Sequence, residues 1–318
     1  MHIQEKSDNK SNQRPKITVT NSYLQKRQQR FALIHHTFLI SFVGLIIAIG
    51  FAGHLEVGKV EIGLLVGMYS LTSVGITVGV HRYFTHKTFK TNLVIKIILA
   101  ILGSMAAEDT LIKWVSDHRR HHQYTEQPGD THSPHIYKGQ KFAFVRGLWY
   151  SQIGWIFKGE LTNSALFAKD ILQDPVIFKV NQLYLLWVII GLAIPTFLGG
   201  VFYGSLKGAW QGFLWGGIIR IFLKNHMVLA LNSIGHLYGS RPFNTPDKST
   251  NNIWLVIPTL GEGWHNNHHA FPNSAKSGLE WWQLDPGYWI IRFMEVLGLV
   301  WDVKYPTVEM IKAKKAKT

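Results

Sequence analysis

Two stretches of the chain place three histidines at one shared spacing, HRRHH at 118–122 and HNNHH at 265–269. Positions i, i+3 and i+4 of a helix share one face, so we expect each stretch to aim three imidazoles at a single point. A chain of this composition is expected to contain only about 0.04 such patterns by chance. Since neutral imidazole is a common metal ligand, the repetition predicts that both stretches bind metal.

Two shorter clusters extend this pattern. Asn232 and His236 in NSIGH are four residues apart, which again places both side chains on one helix face. His81 and His86 in HRYFTH are five residues apart, a spacing that turns the second side chain about 140° away on a regular α-helix. We therefore expect the helix to unwind near its end, so that both imidazoles reach a common site.

The four clusters together predict a site for two metal ions. The chain contains no cysteine, so a metal here must be held by histidine, carboxylate, amide or water. Each cluster offers only two or three ligands, but all of them together suit two ions with five or six positions each. The predicted ligands are His81, His86, His118, His121, His122, Asn232, His236, His265, His268 and His269. Imidazole binds zinc, copper, iron and nickel, so the ligand type leaves the metal open.

The remaining histidines do not join this pattern. We interpret them as surface or interfacial side chains: His2, His35, His36, His54, His132, His135 and His226. The two arginines inside HRRHH, Arg119 and Arg120, occupy positions that point away from the predicted metal-facing side. We expect them to face the cytoplasm or a phosphate-bearing head group, and a solvated basic face is the alternative.

Long apolar stretches must position these residues. Four of them are near the length that a helix needs to cross a bilayer, namely residues 31–53, 62–80, 183–203 and 209–231. The sequence predicts an all-α integral membrane protein, with four transmembrane helices in two hairpins and a cytoplasmic helical cap that holds the metals. Residues 93–107 are apolar but short, and we expect them to dip into the membrane or lie against the bundle.

The second hairpin contains residues that are unusual in a membrane span. Pro195 is expected to kink the third span. Arg220, Lys224 and His226 are expected to make the second half of the fourth span amphipathic.

Basic residues predict the orientation in the membrane. The turns at 54–61 and 204–208 each contain one lysine, whereas nearly all other basic residues lie in the tails and the two cap segments. By the positive-inside rule, both termini and the cap, formed by 81–180 and 232–305, are cytoplasmic. We expect a bacterial inner membrane.

The ends of the chain differ in composition from its centre. Residues 1–30 are polar and basic, and we expect a disordered cytoplasmic tail before a main domain at 31–305. Residues 306–318 are predicted to be a basic C-terminal tail. The net charge of +14 favours anionic membrane lipids over nucleic acid as a partner, because the basic residues flank apolar blocks and form no stripe.

Two ions at the mouth of a lipid-embedded bundle suggest redox chemistry on a lipid chain. A structural zinc needs four ligands, fewer than the clusters offer. An unactivated methylene C–H bond is too inert for acid–base chemistry and requires an oxidant made at a metal from O₂ and electrons. Metal transport or storage is disfavoured, since a transport path needs ionisable residues near mid-membrane.

The motifs also match a known family. HRYFTH, HRRHH and HNNHH, in this order around two apolar hairpins, resemble the three histidine boxes of membrane fatty acid desaturases. NSIGHLYGSRPF, GEGWHNNHHAFPNSAKSGLEWWQLD and GITVGVHRYFTH resemble the delta-9 acyl desaturase branch. The resemblance covers about residues 31–305, nearly the whole chain outside its tails.

This resemblance implies an activity and its cofactors. It implies two Fe²⁺ ions held by the nine predicted histidines, with Asn232 acting directly or through a water, and O₂ as co-substrate. The reaction removes two hydrogens from a saturated acyl chain on CoA, acyl carrier protein (ACP) or a glycerolipid, leaving a cis double bond at delta-9. No HPGG motif of a fused cytochrome b5 occurs. We therefore expect electrons from a separate ferredoxin, cytochrome b5-like protein or reductase. Related di-iron hydroxylases remain the main alternative.

Six further residues are candidates for substrate contacts. Tyr69 and Ser73 precede His81 on one face of the second span, and we expect them to limit acyl length at a tunnel floor, with ordinary helix packing as the alternative. The candidates for head-group recognition are Trp114, Arg119, Arg120 and Trp149.

Overall fold

Helices dominate the computed structural model, which describes residues 16–51 and 57–316. The α-helices are α1 Ser22–Phe51, α2 Lys59–Val74, α3 Leu93–Ser104, α4 Leu111–Tyr124, α5 Ala143–Trp149, α6 Trp155–Phe157, α7 Ser164–Phe167, α8 Lys169–Leu172, α9 Pro175–Gln182, α10 Tyr184–Tyr203, α11 Leu206–Gly212, α12 Arg220–Ser233, α13 Ile253–Val256, α14 His265–Ala270, α15 Pro286–Val296 and α16 Val308–Lys314. Strands β1 Lys90–Thr91 and β2 Val300–Trp301 pair antiparallel. The wider π-helical segments are Gly75–Thr85, Tyr150–Gly154 and Phe213–Ile219, and Ile234–His236 is a 3₁₀ turn.

Four helical stretches within the described residues are long and apolar enough to cross a membrane. They are Ser22–Ala48, Lys59–Thr85, Tyr184–Tyr203 and Leu206–His236. The predicted membrane fold with four spans is therefore confirmed. Two of the spans combine an α-helix with the π-helical segment that follows or interrupts it.

The N-terminal tail prediction is wrong for the part that the structure describes. Helix α1 begins at Ser22, well before the predicted start of the first span. Before it, Thr18 pairs with Thr162 in the cap. Residues 1–15 lie outside the described part of the chain. At the other end, α16 docks on the cap through a hydrogen bond from Lys314 Nζ to the carbonyl of Ala270 (2.6 Å).

Small residues let the helices of the second hairpin approach closely. A side chain on Gly212 would place its Cβ 2.0 Å from the carbonyl oxygen of Pro195 on the neighbouring helix. Helix α10 runs through Pro195 without ending there. Helix α3, too short to span, packs on the second span, where a Cβ on Gly75 would lie 2.3 Å from the backbone of Gly103. The expectation that this segment lies against the bundle is confirmed.

The cations that were predicted to make the fourth span amphipathic lie on its inward face. Arg220 and Lys224 are 0 % and 1 % exposed. The Arg220 guanidinium donates to the carbonyls of Met105 and Gly191 at 2.7 and 3.0 Å. Lys224 Nζ donates to Glu108 Oε1 at 3.1 Å. Both cations therefore face the interior of the bundle, where internal acceptors satisfy them.

A buried ion-pair network attaches the second span to the cap. Arg82, only 1 % exposed, donates to Glu262 Oε1 at 2.8 Å and to Asp285 Oδ1 at 2.9 Å. A buried charge without a partner costs several kcal/mol, so these contacts hold the end of the span against the loop before α14. That loop leads into α14, and α14 and α4 carry the histidines of HNNHH and HRRHH.

Candidate metal centre

The two histidine-rich stretches lie on helices, as predicted. HRRHH occupies the second half of α4, and HNNHH opens α14. The two helices face each other in the cap, and the rings of His122 and His269 stack with centroids 4.5 Å apart. Each helix, however, divides its histidines between two clusters, so the expectation that each stretch points at one place is wrong.

The first cluster, defined as His81, His86, His118, His122 and His268, has ligand atoms within 4.8 Å of one another. Helix α4 contributes two of them through its i, i+4 pair, and α14 contributes one. Four of the rings meet through Nε2: the distances are 3.0 Å for His118–His122, 2.9 Å for His122–His268 and 3.2 Å for His81–His268.

His81 and His86 reach this cluster by a route that differs from the prediction. The helix does not unwind between them but widens into the π-helical segment Gly75–Thr85, and the amide of His86 donates to the carbonyl of His81 at 3.1 Å. A π-helix closes its hydrogen bonds from i to i+5, so residues five apart lie on one side. Their ring centroids are 4.8 Å apart.

The second cluster, defined as His121, His236, His265 and His269, meets the same distance limit. His265 Nε2 and His236 Nε2 are 3.0 Å apart. His121, the middle histidine of HRRHH, thus joins the second cluster, whereas His118 and His122 belong to the first.

The geometry and protonation of both clusters suit metal ions. Burial lowers the pKa of His118, His122, His265 and His268 well below its usual value, so these four imidazoles are neutral. The Nε2 atoms of His86, His121 and His269 are buried without a hydrogen-bond partner. An ion about 2.1 Å from two nitrogens at right angles holds them about 3.0 Å apart, close to the observed spacing.

Carboxylates support the second cluster from outside. Three of its four rings have a carboxylate beside Nδ1. His121 Nδ1 lies 2.7 Å from Asp130 Oδ1, and His236 Nδ1 lies 3.2 Å from Glu126 Oε1. His269 Nδ1 lies 3.0 Å from Asp247 Oδ2. Such a partner fixes the tautomer, because a proton on Nδ1 leaves the Nε2 lone pair for a metal.

In the first cluster, one carboxylate lies beside His81. Glu262 Oε2 is 3.1 Å from His81 Nδ1. Burial opposes its ionisation, but the charge of Arg82 and the His81 ring together lower the pKa of Glu262 to about 2. Sequence reasoning missed all four supporting carboxylates. The available signal was weak: Glu262 stands three residues before His265, and Glu126 and Asp130 follow HRRHH within ten residues.

Two of the histidines that were predicted to be surface or interfacial side chains are buried, so that prediction is wrong for them. His132 is 4 % exposed and stacks on His121, with ring centroids 4.2 Å apart. It forms a third group of possible ligands with His121 and Asp130. His36 is 8 % exposed. His2 and His54 lie outside the described residues.

Two cavities reach the first cluster. The outer cavity is lined by residues of α1, α4, α6 and α12, among them His36, Asp109 and Trp155. The inner cavity is lined among others by Thr77, His81 and His265. Trp114, His118, Val228 and Asn232 line both, so the two spaces adjoin beside the histidines. Asn232 thus borders the same space as members of both clusters.

The six substrate candidates differ in position. Trp114 stacks on His118 with centroids 4.9 Å apart, and its Nε1 donates to Glu108 Oε2 at 3.0 Å. Trp149 is 64 % exposed at the end of α5. The hydroxyl of Tyr69 donates to the carbonyl of Pro258 at 2.8 Å, and Ser73 is fully buried.

The two arginines of HRRHH have structural partners. Arg119 donates to the carbonyls of Phe84 and Thr85 and pairs with Asp170 at 2.7 Å. Arg120 is 2 % exposed and pairs with Glu160. The expectation that Arg120 faces the cytoplasm or a head group is therefore wrong.

Comparisons with known proteins agree with this site. The model of the fatty acid desaturase family matches residues 60–298. A hex-5-enoyl-[acyl-carrier protein] acetylenase of Moorena producens is 45% identical over 317 residues, covering 99% of this chain and 98% of that one. Delta-9 acyl-lipid desaturase 2 of Arabidopsis thaliana is 36% identical, covering 75% and 73%.

A third relative is a desaturase of Anabaena variabilis. The sn-1 stearoyl-lipid 9-desaturase of Anabaena variabilis is 34% identical over 247 residues, which is 76% of this chain and 84% of that protein. The family match includes every predicted histidine ligand and three of the four spans. The chain is a membrane protein that belongs to the fatty acid desaturase family.

Proposed function

We propose that the chain uses O₂ to remove two hydrogens from an acyl chain at a centre of two iron ions. The observation that carries this proposal is the pair of adjacent, enclosed clusters of histidine nitrogens beside the inner cavity. Bound iron supplies the oxidising power that an unactivated C–H bond requires. The first cluster would hold one ion and the second cluster the other, with Asn232 as a direct or water-mediated ligand.

The protein's own residues position the reactants. The carboxylates beside Nδ1 keep the ring nitrogens of the second cluster oriented inwards. Trp114 and Val228 form an apolar wall where the two cavities meet, which excludes water and holds a methylene chain beside His118. The acyl group would enter through the outer cavity.

Two positions of attack are supported by different relatives. The delta-9 position predicted from the sequence agrees with the names of the Arabidopsis and Anabaena relatives. The Moorena relative is named for an acetylenic product on an acyl carrier protein and matches nearly the whole chain, including the N-terminal region. Removal of hydrogens from an existing double bond is therefore the second candidate, with acyl-ACP as its substrate, beside acyl-CoA and acyl-lipid.

The membrane location and the electron donor are part of the same proposal. The metal centre and both termini lie on the cytoplasmic side of a bacterial inner membrane, as the distribution of basic residues indicates. A separate ferredoxin, cytochrome b5-like protein or reductase delivers the electrons.

The first test is expression in a host that lacks delta-9 desaturation. Wild type is compared, at matched protein level, with the His118→Ala/His121→Ala/His122→Ala triple variant and with His226→Ala, a histidine outside both clusters. Total fatty acids are analysed by mass spectrometry, and unsaturations are located by chemical derivatisation. We expect a new unsaturated acid in wild type and His226→Ala, and none in the triple variant.

The kind of product separates the candidates. A cis-9 monounsaturated acid supports the delta-9 desaturase, and an alkyne supports the acetylenase. A hydroxy acid would move the protein to the hydroxylases. Purified protein that contains two zinc ions and is inactive with every donor would refute the oxidation proposal.

A further inference from the structure

The first turns of α1 and the segment before them lie along the cap, outside the apolar part of the helix. Lys26 precedes Phe31, where the apolar stretch begins, by five residues, which is about 7 Å along a helix. The head-group layer of a bilayer is only about 5–7 Å thick on each side. Before the helix, the amide of Val19 donates to the carbonyl of Leu161 in the cap at 2.8 Å. This part of the chain therefore forms a surface beyond the lipid head groups.

The surface carries uncompensated positive charge. Four of its basic residues are exposed, and we call them the basic rim: Lys16, Lys26, Arg27 and Lys158. Residues 16–51 contain no aspartate or glutamate. Lys158 Nζ lies 2.9 Å from Glu160 Oε2, but Glu160 also pairs with Arg120, so two cations share one carboxylate. Among the described residues, no carboxylate forms an ion pair with the other three members of the rim.

The basic rim stands above the outer cavity. Lys26 and Lys158 line opposite sides of a groove between α1 and the cap. The side-chain amide of Gln29 crosses from one side to the other and donates to the carbonyl of Lys158 at 3.1 Å. The same two parts of the chain continue into the wall of the outer cavity, α1 through His36 and the cap through Trp155. The groove therefore leads from the cytoplasmic surface towards the metal centre.

We propose that the basic rim docks an acidic acyl carrier protein, which delivers the acyl chain into the outer cavity. This inference rests on the proposed function and selects one of its three carriers. The distances agree, since Lys26 and His36 are ten residues apart on α1, about 15 Å. The phosphopantetheine arm has about 13 bonds between phosphorus and sulfur and extends about 16 Å. A carrier protein seated on the rim therefore places its thioester at the outer cavity.

The spread of the basic rim favours a protein over the two smaller carriers. Arg27 points about 100° away from Lys26 around the axis of α1, so CoA phosphates bound in the groove would leave Arg27 unpaired. The phosphate of a glycerolipid stays within the head-group layer. A surface with several carboxylates can pair with all four cations at once. Because these cations are exposed, their attraction mainly speeds association and weakens with salt.

Carbodiimide cross-linking tests the contact directly. The purified full-length protein in nanodiscs of neutral lipid is mixed with a bacterial acyl carrier protein that bears an acyl chain. Carbodiimide joins carboxylates of the carrier to lysines that touch them, and mass spectrometry identifies the linked peptides. We expect links to Lys16, Lys26 or Lys158. Links found only at exposed lysines elsewhere on the cap, such as Lys248 and Lys312, would overturn the inference.

The same experiment in a second disc excludes the membrane as the partner of the rim. Nanodiscs that also contain phosphatidylglycerol offer anionic head groups to any basic surface that they can reach. We expect the same cross-links in both kinds of disc. Loss of the links in the anionic disc would show that lipid head groups cover the rim, and this would also overturn the inference.

Charge-reversal variants separate the carrier protein from CoA. Lys26→Glu/Arg27→Glu is compared with Lys248→Glu/Lys312→Glu, which makes the same change of charge away from the groove. Dissociation constants are measured for acyl-ACP and for acyl-CoA with the same acyl chain. We expect the first variant to weaken acyl-ACP binding about tenfold and acyl-CoA binding less than about twofold, and the second to change neither. Equal weakening of both carriers would assign the rim to phosphopantetheine phosphate and overturn the inference.

Product analysis distinguishes failure of this inference from failure of the proposed function. Wild-type protein that oxidises the acyl chain of CoA or of a glycerolipid, but binds no acyl-ACP, would refute the docking surface and leave the proposed function standing. Protein that binds acyl-ACP at the rim and oxidises no acyl chain on any carrier would refute the proposed function, and the inference with it.

Discussion

The two histidine clusters differ in what surrounds them. In the second cluster, three of the four rings have a carboxylate beside Nδ1, namely Asp130, Glu126 and Asp247. In the first cluster, Glu262 beside His81 is the only carboxylate in such a contact among the described residues. Both clusters border the inner cavity, the first through His81 and His118 and the second through His265, but of these rings only His118 also lines the outer cavity.

This difference suggests a division of roles between the two proposed ions. Carboxylate partners raise the basicity of imidazole and fix its orientation, so the second cluster is built to hold its ion firmly. The first cluster has fewer such supports and an apolar wall, Trp114, stacked on one of its rings. Under the proposed function, it is the cluster that would meet the acyl chain. Four predictions, from the largest expected effect to the smallest, test this contrast.

The largest effect should follow from removing one ring of either cluster. His122→Ala removes a ring of the first cluster whose Nε2 lies 3.0 Å from Nε2 of His118 and 2.9 Å from Nε2 of His268. His265→Ala removes a ring of the second cluster whose Nε2 lies 3.0 Å from Nε2 of His236. Because each ion depends on a few rings, we expect each variant to bind about one ion instead of about two and to lose turnover. Elemental analysis of purified protein measures the ion content, with His226→Ala as control. Two ions retained in either variant would contradict the assignment of its cluster.

The next effect concerns stability and is confined to the first cluster. Glu262→Gln neutralises the carboxylate that pairs with the fully buried Arg82. Breaking one partner of a buried ion pair costs about 3–5 kcal/mol, and Asp285 retains part of the compensation here. We expect a clear fall in the melting temperature of the metal-free protein.

The control for that variant is Asp302→Asn, which breaks an exposed pair with Lys90. Exposed pairs contribute about 0–1 kcal/mol, so its melting temperature should stay near that of wild type. Equal melting temperatures for the two variants would show that the buried network does not stabilise the cap.

A smaller effect should distinguish the second cluster. Asp247→Asn keeps the size of the side chain but removes the negative charge beside His269 Nδ1. Loss of such a partner weakens metal affinity by about 10–100-fold. We expect this loss for one of the two ions only, measured by iron titration under anaerobic conditions, with the His265→Ala protein identifying which ion is affected. Equal weakening of both ions would remove the contrast between the clusters.

The sequence predicted the composition of the site better than its geometry. Histidine spacing indicated which histidines come together, because i, i+3 and i+4 are neighbours on any helix. That they bind two ions stays a prediction. The spacing could not show that the histidines of HRRHH are divided between two clusters, since that depends on where His236 and α14 pack. The widening of the helix before His86 was also missed, because residue types do not distinguish a π-helical segment from an α-helix.

Prediction of the fold from the sequence has the same limit. Apolar length predicted the four spans, since bilayer thickness sets it. The sequence could not show the partners of the buried cations in the fourth span, because these partners come from elsewhere: Glu108 precedes α4, and the carbonyls that bind Arg220 belong to Met105 and Gly191. Helix α1 starts at Ser22, in polar and basic sequence before its apolar stretch, where apolar length carries no signal. Pairings across the fold cannot be derived from local sequence.

The smallest effect should come from the wall of the first cluster. Trp114→Phe keeps an aromatic ring to stack on His118 but removes the hydrogen bond from Nε1 to Glu108. Because Lys224 still compensates the Glu108 charge, we expect a loss of about 1 kcal/mol in stability and no loss of metal. Thermal unfolding and elemental analysis measure both quantities. Trp114→Ala, which also removes the stacked ring, should reduce the occupancy of the first cluster while leaving the second ion in place. If Trp114→Phe alone releases an ion, then the Glu108 network, rather than the stacked ring, holds His118 in position.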